Sequence, residues 1–239
     1  MQLRIRIPAA MRPVARPGLA WGCCLWSVAG VLPILHADEG FLVVDKPAGI
    51  AVHGGDGEDV LSLLGKAFPG EPLAPAHRLD AETSGCLLVA RTKTVLLGLA
   101  RAFAERRVVK SYLAVVAGRL TDQQGEVFTH LAPAGPGTPR MVVVEPGAGP
   151  AALTVFRVLR AGDDRSLVEV RPITGRTHQI RVHLRHLGHP ILGDPLYAFP
   201  GAPPAPRLML HARKLAFPHP SNKELFQIQA VPDPAFGLR

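Results

Sequence analysis

The sequence predicts an α+β chain dominated by short strands. Strand-length runs rich in apolar residues and bounded by turn residues recur at Phe41 to Asp45, Cys86 to Ala90, Val108 to Val116, Ala152 to Leu159, Leu167 to Pro172, Leu208 to Leu215 and Leu225 to Ala230. Helical spacing of apolar residues appears only at Val60 to Phe68, at Thr94 to about Arg107, and in a stretch opening at Gly175 and ended by Gly188. No internal repeat is present.

Each element follows from its residues. Asp59 is placed to cap the first helix, whose Leu61, Leu64 and Phe68 fall on one face. In the second, Val95, Leu99 and Phe103 form the inward stripe, and Arg101, Glu105 and Arg106 face outward. On the strand Val108 to Val116, the side chains of Tyr112, Ala114 and Val116 share one face and Leu113 and Val115 the other. Gln123 to Gly149 is turn-rich and predicts an exposed loop between strands, suited to touching a substrate. In the third helix Ile180, Leu184 and Leu187 make the core stripe, which directs Arg176, His178, Arg181 and Arg185 toward solvent or a cleft.

The chain has 239 residues, 47% of them hydrophobic and 19% charged, the balance of a globular protein with an ample core. We expect one domain from residue 32 to 239. The formal net charge is +8, carried mostly by arginine, whose planar fork of donors matches phosphate and favours a polyanionic partner. Cys23, Cys24 and Cys86 form neither a metal-ligand spacing nor an even disulfide framework, as suits a reducing cytoplasm. Residues 1–31 combine Arg4, Arg6, Arg12 and Arg16 with an apolar stretch from Leu19 to Leu35. Cleavage after Ala37 would cut into the first strand, and Pro33 and the glycines interrupt a run already short of the ~20 residues a membrane span needs. The expectation is a poorly ordered extension, no membrane association and no room for an accessory RNA-binding domain.

The chemistry centres on His77 to Lys93, HRLDAETSGCLLVARTK. Asp80 precedes a turn of Thr83, Ser84 and Gly85, where a positive φ costs glycine little, and the strand that follows presents the loop rigidly. HRLDAETSG resembles the catalytic signature of the RluA-type RNA pseudouridine synthases. Further stretches match that family in order: VVDKPAGIAVH (Val43 to His53), KSYLAVVAG (Lys110 to Gly118), PITGRTHQIRVHLRHLGHPILGDPLYA (Pro172 to Ala198) and LMLHARKLAFPHP (Leu208 to Pro220).

The resemblance implies a pseudouridine synthase catalytic fold, with a mixed, largely antiparallel sheet in two halves, flanking helices and a central cleft. It implies isomerisation of uridine to pseudouridine in structured RNA, without cofactor or metal. Asp80 would be the nucleophile at C1′ or the support of a glycal route, Arg181 the cation paired with it, and Tyr112 the ring that stacks on uracil and relays the C5 proton. Leu210 would lie beneath the base. Arg78 would fill the space left by the flipped nucleotide, and His77 would handle RNA or brace the loop. Arg176 and His178 would contact substrate, together with the loop 132–149 and the basic group Arg207, Arg213 and Lys214. Ala81, Cys86 and the stretch GAGPAALT (Gly147 to Thr154) depart from the family pattern, which bears on substrate choice. The LYA and APRLMLHA stretches are similar to the small members that modify a transfer-RNA anticodon stem-loop and a ribosomal hairpin. The expected protein is thus a cytoplasmic monomer acting on an rRNA or tRNA stem-loop.

Two alternatives stand beside this. A noncatalytic RNA-binding paralogue would keep the basic helix without needing Asp80, Tyr112 and Arg181 together. His178, His183, His186 and His189, with His183 and His186 three apart on a helix, could serve a metal-dependent hydrolase, although no acidic residue before Asp194 accompanies them.

Overall fold

A computed structural model describes residues 11–14, 25–55 and 57–237. They divide into two compact units, one of Met1–Val108 with Lys214–Val231, the other of Val109–Arg213 with Pro232–Arg239. The sequence predicts a single domain over the same stretch. Strand periodicity reports which side chains are buried, and is silent on where a chain that crosses back twice is partitioned.

The first unit begins with β1 (Met11–Val14), β2 (Leu25–Val28), β3 (Leu32–Ala37) and β4 (Phe41–Lys46), each antiparallel to the next. Residues 25–31 therefore form a strand and its turn instead of a loose extension, because Trp26 and Val28 find register partners in Ile34 and Leu32. The rest of the expected extension, residues 1–10 and 15–24, lies outside the described residues.

Helix α1 (Val60–Ala67) starts as expected at Asp59, whose carboxylate accepts from Ser62 N at 2.8 Å. Its buried face is Val60, Leu63, Leu64 and Ala67. After β5 (Ala74–Pro75) comes β6 (Ser84–Ala90), buried throughout and antiparallel to β4 with Asp45 opposite Cys86 and Lys46 opposite Gly85. Helix α2 (Lys93–Ala104) is capped by Thr92, which accepts from Val95 N at 3.2 Å. Leu99 and Ala102 of α2 pack with Phe41, Val43, Leu88, Phe217 and Ala230 in one core, with Val95 and Phe103 at its margin. Each such large side chain contributes ~1.5–3 kcal/mol on burial.

The second unit contains the antiparallel strands β7 (Val109–Ala117), β8 (Gln124–Pro133), β9 (Met141–Val144), β10 (Ala151–Ala161) and β11 (Arg165–Pro172), in the order β7-β11-β10-β8-β9. Most of the loop expected over Gln123 to Gly149 is thus the hairpin β8–β9, with Leu131 opposite Val143. Its alternation of Val127, Thr129 and Leu131 was masked by the proline and glycine of the turn at 134–140.

On one face of this sheet lie Tyr112, Ala114, Val168, Val170, Thr154 and Phe156, aligned by register. Helix α3 (Gln179–His186) packs against β8, β9, β10 and β11. Ile180 and Leu184 are buried as predicted, whereas Leu187, past the helix end, is 37% exposed. Finally β12 (Leu210–Pro218) and β13 (Leu225–Gln229) pair from Lys214↔Gln229 to Pro218↔Leu225, returning the chain to the first unit. Among the described residues no helix is long and apolar enough to cross a membrane.

Candidate active site

Asp80 lies in the first unit, half-buried, on the loop that enters β6. The loop is a tight turn, with Thr83 N donating to Asp80 O at 3.0 Å, and Gly85 closes it at φ 109°, where a side chain would be strained. The carbonyl of the next residue, Ala81, is held twice, by Gly49 N at 2.9 Å and by Lys46 Nζ at 2.7 Å. Lys46 is fully buried, and its ammonium also donates to Pro47 O at 2.8 Å and Ile50 O at 2.7 Å. An ammonium has three N–H donors, so each meets a carbonyl. The sequence marks Lys46 only as part of a Lys-Pro-Ala-Gly turn. Its signal is position, at the end of a wholly buried strand opposite Gly85.

His77 turns inward. Its Nε2 accepts from Leu88 N at 3.1 Å and its ring lies 5.4 Å from that of Phe103, so it braces the loop. Arg78 is exposed beside it. Cys86, opposite Asp45, is held as a thiol, since burial and then the Asp45 charge push its pKa up to about 12.

The other expected site residues lie in the second unit. Tyr112 is 8% exposed on β7, in register with Val170. Leu210 is buried at the start of β12, just past Met209, whose carbonyl accepts from Val115 N at 3.0 Å. Lys110, two residues before Tyr112, has its pKa lowered by burial. Arg176 stays at the surface, with Nε on Ala151 O at 3.0 Å. His178 precedes α3 in the left-handed region at φ 53°, a conformation that costs a non-glycine residue ~1–3 kcal/mol, and its Nδ1 lies 2.9 Å from Tyr197 Oη.

Arg181 departs from expectation. It is buried at 3% exposure, and its Nε and Nη2 donate to Asp194 Oδ2 and Oδ1 at 2.9 and 2.8 Å, a bidentate pair. Asp194 Oδ1 accepts further from Leu196 N at 2.9 Å and Tyr197 N at 3.1 Å, and the guanidinium carbon lies 5.1 Å from the Tyr197 ring centroid. The turn that delivers Asp194 requires Gly193, at φ 70°, because a Cβ there would come within 1.9 Å of Arg207 O. Gln179 anchors the helix start. Its Oε1 accepts from Thr174 Oγ1 and Arg176 N, and its Nε2 donates to Leu153 O and Thr154 Oγ1.

The clustered histidines do not converge. His178 meets Tyr197, His183 Nε2 lies 2.9 Å from Thr129 Oγ1, and His189 Nδ1 lies 2.8 Å from Ala117 O. Burial, then the neighbouring His186, lowers the pKa of His183 to about 4, which keeps its ring neutral.

The chain is similar to known proteins over most of its length. Residues 40–186 match the family model described as RNA pseudouridylate synthase. The chain is 42% identical over 205 residues to the dual-specificity RNA pseudouridine synthase RluA of Pasteurella multocida, covering 84% of this chain and 93% of that protein. It is 38% identical to the ribosomal large subunit pseudouridine synthase C of Vibrio parahaemolyticus, over 82% of this chain and 64% of that one. The solved structure of human RNA pseudouridylate synthase domain containing 1 superposes with a TM-score of 0.73 at 34% identity, covering 85% of this chain and 84% of that structure.

Proposed function

The chain belongs to the RNA pseudouridylate synthase family and is an RNA pseudouridine synthase of the RluA type; from there we propose that it isomerises hairpin-loop uridines of ribosomal and transfer RNA, with Asp80 as the reacting carboxylate. The reaction breaks C1′–N1, turns the base and forms C1′–C5, and a proton leaves C5 as N1 gains one. No net oxidation occurs. What the protein supplies is a carboxylate, as nucleophile at C1′ or in support of a glycal route, together with a held base and a path for the C5 proton.

The observation that carries this reading is the clamp on Ala81. A buried ammonium and a backbone N–H fix the peptide that follows Asp80, so the carboxylate is aimed before substrate arrives. Tyr112 stacks on the uracil and relays the C5 proton, and Leu210 supports the base. Arg181 reaches its role with its charge already balanced by Asp194, so it contributes oriented N–H donors more than net charge. Arg78, exposed beside Asp80, fills the stack that the flipped nucleotide leaves. Arg176 and His178 meet the RNA backbone ahead of α3. The enzyme acts as a monomer in the cytoplasm, where such RNAs are found.

The hairpin substrate is supported by identity to a dual-specificity relative along nearly its whole length. Carbodiimide mapping of pseudouridine in total RNA from a deletion strain tests it. Loss confined to a long duplex or a multi-helix ribosomal junction, with hairpin-loop sites intact, would move the enzyme to the other class of substrate.

A further inference from the structure

Along the loop 132–149 expected to touch substrate, the second unit holds a cleft that no catalytic role above uses. It lies between β9 and α3, has a volume of about 170 Å³, and is lined by Arg140, Arg185, His186 and Tyr197 above an apolar floor that includes Val143 and Val182. No acidic residue lines it.

Arg140 is the telling group. Its Nε is buried and has no hydrogen-bond partner among the described residues. Its guanidinium carbon lies 5.8 Å from the Tyr197 ring centroid, and the chain there is fixed by Met141 N donating to Tyr197 Oη at 2.7 Å. Arg185 donates one Nη1 to Tyr197 O at 2.8 Å and lies over Phe199. Among the described residues neither arginine forms an ion pair, unlike Arg181 nearby on the same helix. A buried N–H without an acceptor costs ~1–3 kcal/mol, and more than about nine in ten such groups in folded proteins are satisfied. Two uncompensated guanidiniums lining one cleft add repulsion. A single anion answers both.

Size and chemistry select the anion. Pockets for whole small molecules run from ~300 Å³ upward, so this cleft is too small for a nucleotide and large enough for one phosphate. Guanidinium forks match phosphate oxygens in pairs. We propose that this cleft takes one backbone phosphate of the RNA substrate, away from the reacting uridine. The assignment rests on the chain acting on RNA, and the position of Arg140, at the end of the exposed turn 134–140 where β9 begins, lets a strand of RNA reach it.

The test measures binding of an unmodified uridine-containing hairpin to the full chain. Arg140→Gln should weaken binding about tenfold and reduce the slope of log affinity against log salt by about 1, the signature of one lost phosphate contact. Arg140→Lys should restore most of that slope, which a purely structural loss would not do, and Arg185→Gln should repeat the effect. Single methylphosphonate substitutions along the hairpin should include one that weakens the wild type but leaves Arg140→Gln unaffected. Equal salt slopes, with no position behaving this way, would overturn the proposal. So would stabilisation of the wild type, and not of Arg140→Gln, by inorganic phosphate at constant ionic strength without any methylphosphonate effect, which would assign the cleft to a free anion. Tritium release from the same hairpin labelled at C5 tests the isomerase reading separately. Arg140-dependent binding without release would leave the cleft standing and remove Asp80 from its role.

Discussion

Lys46 Nζ and the carbonyl oxygen of Ala81 are 2.7 Å apart, and through that bond a fully buried ammonium holds the residue that follows Asp80. The same nitrogen spans Pro47 O and Ile50 O, so one side chain ties the end of β4, the turn after it and the Asp80 loop together. Removing it takes a donor from three carbonyls at once, of which Ala81 O keeps Gly49 N.

Lys46→Met should therefore destabilise the protein by roughly 2–4 kcal/mol, since methionine fills the stem but donates to none of those carbonyls. Urea unfolding with an unchanged slope checks this. A loss below about 0.5 kcal/mol would show that water replaces the ammonium and that the clamp is weak.

The Arg181–Asp194 pair makes a second stability prediction. Both side chains are buried, at 3% and 0% exposure, so deleting Asp194 takes the bidentate partner from a buried guanidinium. Asp194→Ala should cost roughly 3–5 kcal/mol, and Leu196 N and Tyr197 N lose their acceptor as well. Asp194→Asn, which keeps an acceptor for those amides, should cost less than alanine. Equal losses in the two would locate the effect in the ion pair and not in the turn.

His183 predicts how stability depends on pH. Its folded pKa lies at about 4 against an ordinary 6.5, so the unfolded chain binds its proton more tightly. Stability from this group is complete above pH 6.5 and is lost as pH falls from 6.5 toward 4, by roughly 3 kcal/mol in all. Unfolding free energies measured across that interval should fall less steeply in His183→Gln than in the wild type. Parallel curves would contradict a buried neutral imidazole.

Much of this fold is legible in the sequence because its signals are local. Asp59 caps α1, apolar runs bounded by turn residues delimit β4, β6, β10 and β11, a two-residue period marks the faces of β7, and helical spacing picks out the stripe of α2. Asp80 on a turn before a buried strand, with Gly85 at positive φ, is equally local. What is not legible depends on partners far along the chain. Arg181 reads as facing solvent or a cleft because charge is costly to bury, and only the folded turn 13 residues later brings Asp194 to it. Lys46 is hidden for the same reason, since Ala81 is 35 residues away. The β8–β9 hairpin is obscured by composition, because prolines and glycines of its turn outweigh the alternation beside them.

Tyr112→Phe separates stacking from proton transfer. The ring remains and only the hydroxyl goes, so RNA affinity should hold within a few fold while pseudouridine fails to form. Nucleoside analysis of the RNA after incubation reads this. Normal product from the phenylalanine variant would leave Tyr112 with stacking alone.

The most direct test of the account is Asp80→Asn. The amide is isosteric with the carboxylate, and the clamp from Lys46 and Gly49 acts on the Ala81 carbonyl, so the loop and the bound RNA should be little changed. Tritium release from a hairpin labelled at uridine C5 should fall to background, a loss of at least ~10³-fold if the carboxylate carries the chemistry, with hairpin affinity within a few fold of wild type. Release at or near the wild-type rate would contradict the assignment of Asp80 as the reacting group.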